Sequence, residues 1–297
     1  MRVFITGASG YIGRAVVAEL VAAGHDVVGM ARSQAAAETV AALGANVRRG
    51  ELDDLDAIRA GAADADGVIH LANKHDWANP AESDRAERAA VGAIAEQLQG
   101  TGKPFLLAAG VAGLTPGRPV TELDPNPSVG PESMRGGAEN LALEYVTRGV
   151  RVVPVRFAPT VHGEGDHGFV AAVAQAARRR GSVPYVGDGV NRWPAVHRSD
   201  AARLVRLGLE TAEAGAILHA VGEEGSAVRR MAEALAERLE LPAVSVDAET
   251  LAAEIPFIGR ILGLDIPASS ALTRERTGWE PSGPTLLADI RAGHYDA

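Results

Sequence analysis

The strand-like run Val3–Thr6 leads without a linker into Gly7-Ala8-Ser9-Gly10-Tyr11-Ile12-Gly13, and a helical stretch follows at once. Three glycines at spacing three in a first strand-to-helix turn make a narrow demand on the backbone. The first permits a tight turn with positive φ, the second lets the main chain approach a ligand, and the third lets helix and strand pack closely. The helix start then offers free N–H groups and the positive end of its dipole, which together suit a pyrophosphate. In a chain with 34 glycines the bare spacing is weak, and its place between strand and helix gives it force. Gly7, Ser9, Gly10, Tyr11, Ile12 and Gly13 are therefore expected to contact a dinucleotide, against the plain alternative of a Gly-rich structural turn.

The rest of the N-terminal half repeats the same rhythm. Apolar runs at Asp26–Met30, Asn46–Arg49, Gly67–Leu71, Pro104–Ala108 and Val150–Arg156 alternate with helix-like stretches at Ala35–Leu43, Asp54–Ala60, Ala86–Gln99 and Arg135–Thr147. Such alternation builds βαβ units and a parallel sheet. Beyond Arg156 the pattern becomes Gly-rich and then mostly helical, with a strand expected at Ile217–Val221. The expected fold is α/β, a Rossmann-type doubly wound parallel sheet with a smaller C-terminal substrate lobe. Residues 1–160 and 196–224 form the nucleotide core in this reading, and 161–195 and 225–297 the lobe. Thr115–Ser133 holds five prolines and two glycines and is expected to be an ordered loop or lid over a site.

Composition narrows the function classes. Acidic side chains outnumber basic ones 38 to 29, and no basic run exceeds Arg178-Arg179-Arg180, so a duplex nucleic acid is not an expected partner. With no cysteine there is neither a thiol nucleophile nor a Cys-ligated metal. His197 and Asp200 stand three apart at a helix start with no third ligand nearby, which reads as capping, and no metal is expected. No signal sequence or membrane-length apolar run is visible, so the expectation is a cytoplasmic protein without membrane contact, monomer or homodimer.

After the second strand, where an acidic residue would hold a ribose 2′-hydroxyl, the chain reads Met30-Ala31-Arg32-Ser33. A guanidinium grips a 2′-phosphate that a carboxylate would repel, so Arg32 and Ser33 favour NADP(H) over NAD(H). A solvated arginine is the ordinary alternative. The third strand ends in Glu51-Leu52-Asp53-Asp54, where Glu51 and Leu52 are candidates for the adenine and Asp53 or Asp54 for a helix cap.

Taken together, Thr6–Gly13, Val68-Ile69-His70-Leu71-Ala72, Val155–Gly163, Val196–Asp200 and Thr277-Gly278-Trp279-Glu280-Pro281 resemble the extended short-chain dehydrogenase/reductases, the NAD-dependent epimerase/dehydratase group. The resemblance covers nearly the whole chain. It implies that Leu71, Ala72 and Asn73 line the cofactor and that Pro159, Thr160 and Val161 cover the nicotinamide.

It also implies a Tyr-x-x-x-Lys pair, with a serine and an asparagine, that this chain lacks. Tyr11, Tyr145, Tyr185 and Tyr295 are not followed by lysine four places on, and the two lysines, Lys74 and Lys103, lie outside the relevant helix. Placing the family helix on Arg135–Glu139 puts Arg135 at the Tyr position and Glu139 at the Lys position, while Ala108-Ala109 replaces the serine. The missing set is similar to that of atypical ketoreductases of angucyclinone (simocyclinone-type) pathways.

Three functions remain open on this reading. The first is an NADPH-dependent ketoreductase of hydroxylated aromatic, polyketide-like ketones, whose own hydroxyl protonates the forming alkoxide. In the second, His162 is the acid, with His167 or Arg135 as electrostatic partners, against simple packing of a buried histidine. Arg135 is also a candidate for substrate contact, against a solvent-facing residue at a helix start. The third is an NADPH-binding redox sensor without catalysis. Ala109, Val111, Met134, Phe169, Trp193 and Phe257 are candidates to face an aromatic substrate, each with core packing as the alternative.

Overall fold

The computed structural model describes residues 1–296 except 77, 78, 113, 115 and 116, and gives 256–258 as backbone alone. Strands and helices alternate as β1 (Arg2–Thr6), α1 (Tyr11–Ala22), β2 (Asp26–Ala31), α2 (Gln34–Ala42), β3 (Asn46–Arg49), α3 (Leu55–Ala63), β4 (Gly67–His70), α4 (Pro80–Leu98), β5 (Pro104–Gly110), α5 (Ala138–Leu143) and β6 (Arg151–Phe157). There follow β7 (Thr160–His162), α6 (Phe169–Arg180), β8 (Val183–Val186), β9 (Arg192–His197), α7 (Arg198–Thr211), β10 (Leu218–Ala220), β11 (Glu223–Ala227) and α8 (Val228–Leu239). The chain closes with β12 (Ala243–Val246), α9 (Ala248–Glu254), α10 (Pro256–Leu262), α11 (Ala271–Thr277) and α12 (Leu286–Arg291).

Seven parallel strands form one sheet in the order β10-β6-β5-β4-β1-β2-β3. Strand order reverses between β1 and β4, the point where open α/β sheets bind ligands. Side chains alternate across this sheet as the strand period requires. On β1, Val3 and Ile5 join the apolar cluster under α1 and α7, whereas Phe4 points to the cluster under α3, α4 and α5. This is the doubly wound α/β architecture expected from the sequence.

The lobe has its own core of Val170, Val173, Trp193, Met231, Leu235 and Leu251 with neighbours. Two small sheets, β11-β9-β7 and β12-β8, support it. Strands β11 and β12 lie where a purely helical tail was expected. The segment rich in proline is an anchored strap in its described part: Val120 bridges to Ala268, Glu122 accepts from Thr273 N and Oγ1 (2.7 and 2.6 Å), and Asp124 is paired with Arg118. That pairing holds the Asp124 carboxyl well below the usual carboxylate range.

The helix expected over Arg135–Thr147 is broken. Arg135, Gly136 and Gly137 have φ of 55°, 59° and 61°, a left-handed turn that delays α5 to Ala138. Gly136 is required there, since a Cβ would meet Asp84 O at 2.5 Å. Arg135 carries the same conformation with a side chain, at a cost of about 1–2 kcal/mol for an L-residue. A second short helical turn, Val146–Arg148, follows α5 and completes the interrupted segment.

Candidate active site

The Gly-rich turn is closed by Gly10 N donating to Gly7 O at 3.0 Å, and Gly7 adopts φ 71°. A Cβ on Gly7 would lie 2.7 Å from the Leu71–Ala72 backbone, and one on Gly13 would overlap the Gly7 carbonyl. No side chain caps α1, so its first N–H groups remain available. Pairing of Thr6 with His70 across β1 and β4 brings Leu71, Ala72 and Asn73 beside the turn, and Ala72 N reaches Thr6 Oγ1 at 3.4 Å. Ser9, Tyr11 and Ile12 are part-buried around it. The main-chain cradle and its steric limits fit a dinucleotide.

At the outer end of β2 and β3, Ala31, Arg32, Ser33, Gln34, Arg49, Gly50, Glu51, Asp53 and Asp54 line an open cleft of about 600 Å³. Arg32 is exposed. Ser33 caps α2 through Ala36 N at 3.1 Å, so its hydroxyl already has a structural partner. Arg49, not singled out by the sequence, donates to Ser33 O (2.5 Å) and Gln34 Oε1 (2.6 Å) and places a second guanidinium at this corner. Glu51 is exposed and Leu52 half-buried on the same rim, Asp53 pairs with Lys74 at 2.9 Å, and Asp54 caps α3.

On the inner side, Pro159 is half-buried, while Thr160 and Val161 are buried in β7 against β9, with Thr160 Oγ1 donating to Pro194 O at 2.5 Å. His162 is fully buried, its Nδ1 2.6 Å from Asp289 Oδ2 on α12, and Nε2 3.7 Å from Glu223. The structure thus places this histidine in a buried hydrogen bond with the last helix. His197 caps α7 through Ser199 N, and Asp200 holds the Ser282-Gly283 turn. Among the described residues no three His, Asp or Glu side chains are grouped to hold a metal ion.

The positions assigned to tyrosine and lysine diverge in space. Glu139 points inward and is paired at 2.6 Å with Arg156, which is 0 % exposed. Arg135 points to the end of β4, where Nε donates to Glu87 Oε2 at 3.0 Å and Nη2 to Glu87 Oε1. Asn73 Nδ2 shares Glu87 Oε2 at 2.6 Å. Sequence reading missed Glu87 because a buried carboxylate is conspicuous only beside its partner. His70, at the end of β4, bonds Thr6 Oγ1 at 2.8 Å, and burial depresses its pKa to about 3, so it is neutral.

The expected apolar contacts separate into two groups. Val111 and Trp193 are enclosed in the core clusters at 0 % and 1 % exposure, and Ala109 is buried, because Ala109 and Trp193 sit in β5 and β9 and Val111 directly follows β5. Phe169 is half-buried and packs edge-on to Trp193, while Met134 is 60 % exposed beside the left-handed turn. Phe257 lies in α10, outside the residues whose side chains are described.

A doubly wound sheet with an intact phosphate turn at its switch point defines a dinucleotide-fold protein of the oxidoreductase type. The chain belongs to the NAD dependent epimerase/dehydratase family, whose profile matches residues 3–221. It is similar to the uncharacterized protein C2A9.02 of Schizosaccharomyces pombe, with 40% identity over 296 residues, 99% of this chain and 100% of the other. It is 31% identical over 188 residues, 61% of this chain and 56% of the relative, to the 4-hydroxy-2-methyl-3-oxo-4-farnesyl-3,4-dihydroquinoline-1-oxide ketoreductase of Stigmatella aurantiaca. Its fold is similar to that of UDP-glucose 4-epimerase of Thermotoga maritima, with TM-score 0.76, 18% identity, and 100% and 98% of the two chains covered. Among the described residues no helix is long and apolar enough to cross a membrane.

Proposed function

We propose that this protein is an NADP(H)-dependent ketoreductase of hydroxylated aromatic, polyketide-like ketones, in which the substrate's own hydroxyl replaces the absent protein acid. The observation that carries the reading is the fate of the two acid-base positions, filled by Arg135 and Glu139 in ion pairs with buried partners. A guanidinium does not release a proton near neutral pH, and Glu139 is held by a buried cation. Tyr11 offers no substitute: its hydroxyl has no partner among the described residues, and burial, with Asp166 nearby, pushes its pKa up. A lysine beside a catalytic tyrosine would act in the opposite direction. His162 Nδ1 is engaged by Asp289 while Nε2 has no hydrogen-bond partner among the described residues, and the ring is 0 % exposed, so burial separates it from a ligand.

A dinucleotide held at the Gly7–Gly13 turn would supply hydride to the carbonyl carbon, the alkoxide oxygen so formed would take the proton of the adjacent hydroxyl, and the resulting anion would recover one from water. The chain holds the two partners in place and surrounds the oxygens with fixed charge. A positioned general acid contributes about 10²–10⁴-fold, or about 3–5.5 kcal/mol, and an intramolecular hydroxyl of high effective molarity covers that range. The relative from Stigmatella aurantiaca is a ketoreductase by name and supports carbonyl reduction, while the hydroxyl beside its ketone is a tertiary alcohol and carries no weight for the proton source.

The test compares a peri-hydroxylated tetralone with its O-methyl ether while following NADPH oxidation. Methylation should lower turnover by about 100-fold or more, with NADPH affinity unchanged. Equal turnover of the two ketones would return the search to a protein acid. Protein that binds NADPH and oxidises it with neither ketone would favour the sensor reading.

For the cofactor, Arg32 and Arg49 together support the 2′-phosphate. Arg32→Asp should weaken NADPH about 10–100-fold, from loss of a charge-assisted contact worth about 1.5–3 kcal/mol, and leave NADH nearly unaffected. Titration of both nucleotides by fluorescence checks this, and equal losses for the two would remove the 2′-phosphate assignment.

A further inference from the structure

We propose that the free outer edge of the Arg135 guanidinium, fixed by Glu87 and Asn73, binds the paired carbonyl and hydroxyl oxygens of the substrate. This rests on the ketoreductase reading and adds the side chain that touches the ketone.

A guanidinium is a planar fork of five N–H donors. In Arg135 the Nε and Nη2 edge is spent on the two oxygens of Glu87, itself 1 % exposed, and Asn73 shares one of those oxygens at 2.6 Å. Nη1 makes no hydrogen bond among the described residues, which leaves the Nη1–Nη2 edge with two parallel donors. The side chain is 33 % exposed, so part of it is open to a ligand. Its position next to Asn73, just past β4, lies beside the strand ends where the phosphate turn sits. A fork of this kind matches two neighbouring oxygens, which an ammonium point charge does not.

The backbone supports the assignment. Arg135 is one of the few non-glycine residues with positive φ, and the turn that imposes it is tied from several sides. Arg135 N donates to Asp84 Oδ1 at 2.8 Å, and Arg88 Nη1 donates to Gly136 O at 2.7 Å. Strain held by such over-determined contacts collects at functional sites. A surface ion pair requires none of it. Nearby His70 is neutral and adds no charge beside the Arg135–Glu87 pair. As the substrate turns anionic, donors already aimed at its oxygens need no reorganisation.

The experiment measures binding of peri-hydroxytetralone and of tetralone lacking the hydroxyl to NADP⁺-saturated protein, together with turnover of both by NADPH. Wild type should favour the hydroxylated ketone by about 10-fold or more, and Arg135→Gln should erase that ratio and lower kcat by about 10–100-fold. NADPH affinity should remain within about threefold, since the adenine and pyrophosphate contacts lie elsewhere. Glu87→Gln keeps the guanidinium but weakens its clamp, so the ratio should fall part-way, and this variant decides the matter if Arg135→Gln does not fold. An unchanged ratio in a folded variant overturns the inference while leaving the ketoreductase reading intact. Absence of NADPH oxidation with either ketone overturns the ketoreductase reading, whereas the binding ratio still judges the Arg135 contact.

Discussion

Glu139→Ala is expected to lose about 3–5 kcal/mol of unfolding free energy, the cost of stranding one member of a buried ion pair. Arg156 has no exposed surface, and its Nε and Nη2 donate to Glu139 at 3.1 and 2.6 Å. Its Nη1 donates to Asp124 O at 2.8 Å, and Glu139 also accepts from Asn126 at 3.0 Å. One carboxylate therefore neutralises the cation and helps to fasten the strap. Because folded domains have only about 5–15 kcal/mol in total, this single change should shift the urea midpoint severely. Replacing both partners by methionine should recover much of the loss, because no buried charge is then unpaired. A loss below about 1 kcal/mol in Glu139→Ala would mean that water reaches Arg156 in solution.

Gly13→Ala is expected to weaken NADPH binding by about 100-fold or more, a loss near 3 kcal/mol. Alanine is a better helix former than glycine, so propensity alone predicts a small gain in stability. Steric exclusion decides the outcome. The added Cβ would overlap Gly7 O and stand 2.9 Å from Gly7 C, so the turn must widen. Both atoms belong to backbone, which has no rotamer to escape into, and the widened turn moves the N–H groups that face the pyrophosphate. Calorimetric titration with NADPH, alongside a circular dichroism spectrum that shows retained helix, separates this effect from unfolding. Wild-type affinity in the variant would remove the turn from the cofactor site.

The parts of the fold legible in sequence are those fixed locally. The Gly-rich turn, the alternating strands and the cap at Asp54 depend on residues within a few places of one another, whereas sequence reading missed the capping role of Ser33. The arrangement at Arg135 does not. Its helical-looking sequence winds left-handed because Asp84 and Arg88 of α4, some fifty residues earlier, hold its backbone. Likewise the partner of His162, at the end of β7, is Asp289, 127 residues later, which no local reading of the sequence reveals. Val111 and Trp193, candidates to face a substrate, belong instead to the packed core, the alternative that only tertiary contacts decide. The second guanidinium at the outer end of β2 and β3, Arg49, becomes visible only when β3 is laid beside β2.

The left-handed turn at Arg135–Gly137 also limits how this protein can be retrofitted with conventional acid-base machinery. On a right-handed helix, side chains four apart stack on one face. Here positions 135 and 139 straddle a reversal in winding and look into different compartments, one toward the end of β4 and the other into the interior. Writing tyrosine and lysine into those two codons would orphan Glu87 and Arg156 without bringing the new phenol and ammonium together. A working dyad would require recasting the whole connection from the strap to α5.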